Sequence, residues 1–439
     1  MAEKDSNDGL NLVVKYSSKY ILYAAGVFGL CNMLDIFVSN ASPLTQSYIV
    51  EEFFVSQGIA ANIGYSQLNL LMIIGLPFMI LSLGIKFMAD KRGRKPALIV
   101  TIIGMGISAV LIAFSQNFIM YMIGNILGGL FLSTDIQLMM IIEESPIEKR
   151  SRYLAFARII GLVGALLVPV SRQIFLSGED PNWRAIYYFP IILAIVCTLI
   201  SLTTLKESSV FLTMKEKKAH TMPEIDVVKK EGLLKALKKL SKTPHYKIAL
   251  ITSFAGLLGT IGGIAARSFM EPLLTQTFSL AEVNTIYYLR YGISIVLGLF
   301  IGEVRDKIGR REGLITTLAI QCIFLGLFFW FIGNLWVIPT GLVYGIFIYS
   351  VWMNSVTSGL IVNELTPTKY RGTMNVMVGI LSFGIMIAWM IIQGVLILFV
   401  SFQAVLFIAT IPFSILGIII TLFKIPETKG TDLTTIAEK

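Results

Sequence analysis

Asp90-Lys91-Arg92-Gly93-Arg94-Lys95 lies between two apolar runs, and Asp306-Lys307-Ile308-Gly309-Arg310-Arg311 repeats it in the other half of the chain. Two further pairs keep nearly the same offset. Glu143-Glu144-Ser145-Pro146-Ile147-Glu148-Lys149-Arg150 is matched by Glu364-Leu365-Thr366-Pro367-Thr368-Lys369-Tyr370-Arg371, and Lys206-Glu207-Ser208 by Pro426-Glu427-Thr428. Chance can give one such match, hardly three in register. The chain reads as one six-helix plan used twice in parallel.

Between these loops lie apolar runs of the length a bilayer demands, about 20 residues each. They predict twelve helices near 20–40, 62–83, 97–114, 118–141, 153–173 and 185–205, then 248–269, 285–304, 313–332, 336–362, 374–396 and 402–423. With 55% hydrophobic and 14% charged residues, the surplus apolar surface must face lipid, because a soluble chain carries roughly a quarter charged residues. The formal charge of +9 does not point to nucleic acid, since Lys and Arg sit in short loops between apolar runs. One side collects the cations of 91–95, 149–152, 305–311, 369–371 and the 206–247 segment. The other carries Glu51, Glu52, Glu179, Asp180, Glu271 and Glu282, with few cations beyond Arg172 and Arg184. Cytoplasmic loops collect Lys and Arg, so both termini are expected in the cytoplasm, as an even number of spans requires. The polar start of the chain and the long run after it do not resemble a cleaved signal peptide. Cys31, Cys197 and Cys322 lie in apolar runs with no metal or disulfide spacing.

The expected organisation is an N-terminal bundle over 1–205, a cytoplasmic linker over 206–246 and a C-terminal bundle over 247–439. Within the linker, Gly232-Leu-Leu-Lys-Ala-Leu-Lys-Lys-Leu-Ser-Lys242 reads as a basic amphipathic helix for the inner leaflet.

The Asp-(Lys/Arg)-x-Gly-Arg loop in both halves resembles the signature loops of the major facilitator superfamily, over nearly the whole chain. Glu-x-x-Pro-x-x-x-Arg and Pro426-Glu427-Thr428-Lys429-Gly430 are similar to its sugar-porter and metabolite–proton symporter branches. Lys86 stands where that family usually has Gly. The resemblance implies an all-α membrane protein of twelve transmembrane helices in two six-helix bundles. It also implies that Asp90, Arg94, Glu143 and Arg150, with Asp306, Arg310, Glu364 and Arg371, tie the halves together when the cytoplasmic side is closed. The alternative is that these charges only set topology and anchor helix ends.

Charges at membrane depth cost at least ~2.5–3.5 kcal/mol and need a reason. Asp35 and Asp135 lie on the first and fourth spans, which line the central cavity in the resembling family, and an acid there can take a proton when desolvated and release it when wetted. A structural hydrogen bond or fixed ion pair is the alternative. No His lies in a span, so a proton carrier would be a carboxylate. Arg158 falls where the similar sugar porters carry a sugar-binding Gln, and an Arg there can grip a carboxylate or phosphate; it can also pair with Asp135 or snorkel. Arg290 is a second candidate for anion attraction, while Arg267 and Glu271, one turn apart, read as a local ion pair. Trp352 and Asn354 are candidate substrate contacts, with interior packing or the lipid face the alternative.

These features predict a secondary transporter working by alternating access. The expected activity is proton-coupled symport of a small polar metabolite, an organic anion ahead of a sugar, with Na⁺ the alternative coupling ion. A sugar–proton symporter is the next reading, although span 7 has Gly259-Thr-Ile-Gly-Gly-Ile264 where that branch has paired glutamines. A drug–proton antiporter or a transporter-like nutrient sensor follows. No nucleophile–base pair, metal cluster or phosphate loop is present, so neither an enzyme nor a cofactor is expected. The partners are a small-molecule substrate, protons and the lipid bilayer, and the protein is expected to act as a monomer spanning the plasma membrane many times.

Overall fold

In lipid every backbone N–H and C=O must be satisfied within the segment, so apolar runs of this length become helices. The computed structural model describes residues 16–132, 136–146, 149–213, 241, 246–366 and 371–428; among these there is no strand. The first half contains α1 (Ser18–Ala41), α2 (Gln46–Phe53), α3 (Ala61–Ile80), α4 (Ser82–Arg92) and α5 (Arg94–Ala113). It continues with α6 (Phe118–Leu132), α7 (Ile136–Glu144), α8 (Arg150–Leu176) and α9 (Tyr188–Thr203). The second half contains α10 (Tyr246–Thr277), α11 (Leu280–Ile308), α12 (Arg310–Gly333), α13 (Val337–Leu365), α14 (Arg371–Leu396) and α15 (Phe402–Lys424). Ten helices are long and apolar enough to cross a membrane, counted over the described residues with α6 and α7 as one. Two more, α3 and the 29-residue α11, stand at the second and eighth expected positions.

The predicted second span is divided. Pro77 lacks the N–H that would close onto residue 73, and four residues on, the chain turns at Leu81 before resuming as α4. Several helices also run past their apolar cores. α10 reaches Thr277 through Arg267 and Glu271, and Glu271 is buried against the rest of its unit.

The chain divides into two compact units, one of residues 1–58 and 71–228 and the other of residues 59–70 and 229–439. In the first, α1 packs along α8 and α9, and α5 along α6 and α9, around Phe28, Leu34, Leu98, Ile102, Met140 and Cys197. In the second, α12 packs along α13 and α15, the counterparts of α5 with α6 and α9. The segment 59–70 joins this unit through a buried polar junction. Gln393 Nε2 on α14 donates to Asn69 Oδ1 at 2.7 Å and to Ser268 Oγ at 3.1 Å, and Ser66 Oγ donates to the Gly394 carbonyl at 2.7 Å. The basic amphipathic helix read at 232–242 lies outside the described residues apart from Ser241.

Candidate functional site

The repeated loops form two matching networks. In the first unit Gly93 has φ 119°, a backbone that disfavours any side chain, and α5 starts directly after it. The Glu207 carboxylate caps that start, accepting from the backbone N–H of Arg94 at 2.7 Å and of Lys95 at 3.1 Å. The Arg94 guanidinium donates to Asp90 Oδ1 at 2.8 Å and to Glu143 Oε1 at 3.0 Å, and Ser208 Oγ donates to Glu143 Oε2 at 2.6 Å. In the second unit Gly309 has φ 102°, and Glu427 accepts from the N–H groups of Arg310 at 2.9 Å and Arg311 at 3.1 Å. Arg310 Nε donates to Glu364 Oε1 at 3.3 Å, and the Thr428 hydroxyl donates to the other oxygen of Glu364. Asp90, Arg94 and Glu143 are thus brought together, as are Arg310 and Glu364. The side chains of Arg150, Asp306 and Arg371 lie outside the described part of the structure.

Sequence reasoning treated the third marker pair only as evidence of the repeat. Its Glu supplies the helix cap and its following Ser or Thr holds the acid of the second marker. The signal was present, since a carboxylate preceding a hydroxyl at the same offset in both halves is what a shared docking role needs.

Elsewhere in the first unit, Arg184 meets Glu52 with both forks at 2.6 Å, and Trp183 Nε1 donates to Glu52 Oε2 at 2.7 Å. Burial pushes the Glu52 carboxyl up, but the Arg184 and Trp183 donors more than offset this and hold it below the ordinary carboxylate range. Arg172, counted from sequence among the outer-side cations, is fully buried within α8.

At membrane depth in the first unit, Asp35 on α1 accepts a hydrogen bond from Gln137 Nε2 on α7 at 3.2 Å. A hydrogen bond was the alternative to a coupling role for Asp35, and Gln137 is the residue that supplies one. Asp135 lies outside the described residues. Arg158 on α8 is exposed and makes no hydrogen bond or ion pair with any described residue.

In the second unit, Arg290 on α11 is held by tyrosines. Its guanidinium carbon is 4.4 Å from the Tyr291 ring centre, 5.0 Å from Tyr344 and 5.8 Å from Tyr287. Each such contact contributes on the order of 0.5–2 kcal/mol. Gly345 makes the arrangement possible, since a Cβ there would come within 2.9 Å of the Arg290 carbonyl oxygen. Tyr287, Tyr291 and Tyr344 are buried, and the Arg290 Nε is buried with no hydrogen-bond partner among the described residues. No described carboxylate pairs with Arg290. Trp352 and Asn354 are not part of this cage. Trp352 is 51% exposed beside Tyr349, and Asn354 is fully buried with its Nδ2 donating to the Gly256 carbonyl at 2.5 Å, which ties α13 to α10.

The sequence profile of the Major Facilitator Superfamily matches residues 25–278 and 252–438, together nearly the whole chain. This chain belongs to that superfamily. Members of the superfamily are transporters, not enzymes. The curated relatives include the multidrug resistance protein MdtG of Escherichia coli O17:K52:H18 and that of Escherichia coli K12, each 24% identical over 272 residues. The match takes in 60% of this chain and spans 62% of the length of those relatives. Among solved structures, a D-xylose–proton symporter superposes with a TM-score of 0.69 at 15% identity, over 94% of this chain and 99% of that one. The inward-open xylose transporter XylE from E. coli gives 0.67 at 16% identity, covering 95% and 98%. A bacterial homologue of the human lysosomal transporter Spinster gives 0.66 at 13% identity, covering 94% and 99%. At these identities the likeness is one of fold. The major-facilitator fold and multi-pass membrane character expected from the sequence are borne out.

Proposed function

We propose that this chain is a secondary transporter of the plasma membrane that couples proton movement to symport of a small organic anion by alternating access. The observation that carries the anion is Arg290, a cation fixed in its tyrosine cage with a buried Nε lacking an acceptor and no described carboxylate beside it. A guanidinium held among three tyrosine rings presents a planar fork, which suits a carboxylate. In this reading Asp35 carries the proton, with Asp135 as a second acid on the same route. Arg158 is a further candidate contact for the anion and Trp352 a candidate substrate contact, whereas Asn354 serves packing. The networks of Asp90, Arg94, Glu143 and Arg150 and of Asp306, Arg310, Glu364 and Arg371 act as the cytoplasmic gate. Both termini then lie in the cytoplasm, and one chain suffices for transport.

Proteoliposome uptake over a panel of organic acids and hexoses, with and without an imposed pH gradient, tests this. Acid-selective, gradient-driven accumulation is expected. Uptake of hexoses alone defeats the anion, and uptake indifferent to the gradient defeats the coupling.

A second reading, drug export, draws support from the similarity to MdtG. It predicts gradient-driven efflux of lipophilic cations, which the caged Arg290 cation disfavours.

A further inference from the structure

Two hydrogen bonds and a ring contact set the register of α1 against α9. At one end the Tyr23 hydroxyl and Thr204 Oγ1 are hydrogen-bonded at 2.6 Å, and the Lys206 N–H donates to the Tyr20 hydroxyl oxygen at 2.6 Å. Further along, the ring centres of Phe37 and Phe189 lie 4.8 Å apart. The two helices are therefore antiparallel, with residue numbers rising on α1 from Tyr23 to Phe37 as they fall from Thr204 to Phe189. Two helical turns, about 11 Å, separate Cys31 from Tyr23 and Cys197 from Thr204. The two thiols thus reach the same depth.

Both cysteines face inward. Cys31 belongs to the buried stripe of Ala24, Val27, Phe28 and Leu34 on α1, and Cys197 to that of Leu193, Ala194 and Ser201 on α9. Their exposures are 1% and 0%, they share one apolar core, and their thiols are in hydrogen-bond contact. Spacing along the chain gave no sign of this meeting, since it depends on the register of two helices.

A thiol pair in an apolar interior is a selective ligand set. Soft sulfur ligands select Cu(I), whereas structural Zn²⁺ sites are almost always four-coordinate. Among the described residues no third His, Cys, Asp or Glu joins the pair, so these side chains offer two sulfurs and no more. Charge is the second constraint, because an uncompensated ion in an apolar interior is costly. Cu⁺ and two thiols give a thiolate–copper–thiol bridge and one H⁺, which leaves to the medium. The loaded pair is then as neutral as the empty one, and no electron is transferred.

We propose that Cys31 and Cys197 form a buried two-coordinate site for Cu(I) that bridges α1 and α9 within the first unit. Because both sulfurs are shielded, the ion enters only when the helices part, so loading is slow and the bound ion resists chelators. The site is independent of the transported substrate.

The test incubates the whole reduced protein in detergent with Cu(I) buffered by a chromophoric chelator, strips free ion with the same chelator, and measures copper per chain. One Cu(I) per chain is expected in the native protein and in Cys322→Ser, and little or none in Cys31→Ser and Cys197→Ser. Thermal midpoints without metal show whether the serine variants fold. X-ray absorption of the loaded native protein should show two sulfur neighbours and no nitrogen or oxygen, and this spectrum decides alone if the variants do not fold. No copper retained by the native protein, equal retention in either folded serine variant, or three or more ligands at the metal overturns the site.

Discussion

The Glu207 carboxylate accepts the backbone N–H of Arg94 at 2.7 Å across 113 positions of chain, and Glu427 does the same for Arg310 at 2.9 Å. In each unit an acid beyond the last span thereby closes the N-terminus of the helix that follows a positive-φ glycine. The unpaired amides and the helix dipole both favour a negative charge there.

Removing this cap costs what an N-cap is worth, about 0.5–2 kcal/mol per site. Glu207→Ala and Glu427→Ala should each lower the thermal midpoint of the purified protein in detergent, whereas Glu207→Asp should lower it less. An unchanged midpoint in both alanine variants removes the structural role of the pair.

Arg290→Lys keeps the charge and loses the planar fork and its stacking on Tyr291 and Tyr344. KM for the transported anion is expected to rise about 10- to 100-fold, the equivalent of about 1.4–2.8 kcal/mol, with insertion unaffected. Equal KM in the two proteins takes Arg290 out of substrate binding.

Asp35→Asn should abolish accumulation driven by a pH gradient yet retain exchange of labelled for unlabelled substrate. Counterflow in proteoliposomes measures the second, and survival of both activities excludes Asp35 as the coupling acid.

Glu52 is held below the ordinary carboxylate range by Arg184 and Trp183, so it favours the folded state wherever the unfolded carboxyl would be ionised. Its contribution is full above the ordinary glutamate value of about 4.3 and is lost as pH falls through the lower folded value. Because the carboxylate is 41% exposed, solvent screens the pair and the effect is small. Thermal midpoints of native protein and Glu52→Gln should differ at about pH 6, and the difference should shrink as pH falls below the ordinary glutamate value of about 4.3. A difference independent of pH contradicts the assignment.

Twelve apolar runs, their division into two copies and the loops that join them were legible because hydropathy and repetition are local properties of the chain. So was the pairing of Arg94 with Asp90 and Glu143, since the markers recur in register. The cap by Glu207 was half legible, since its repeat at Glu427 is visible in the chain but the helix start it reaches, 113 positions away, is not. The tyrosine cage was not, because Tyr344 lies on another helix and joins Tyr287, Tyr291 and Arg290 only where Gly345 lets α13 press against α11.

By itself the sequence determined the solvent this protein lives in and the plan of its backbone, since about 20 apolar residues in lipid have no alternative to a helix. Tertiary structure decided which polar groups meet. Gln137 reaches Asp35 across 102 positions and Gln393 reaches Asn69 across 324. Such pairings follow from helix rotation and close packing, which no local pattern of residues encodes.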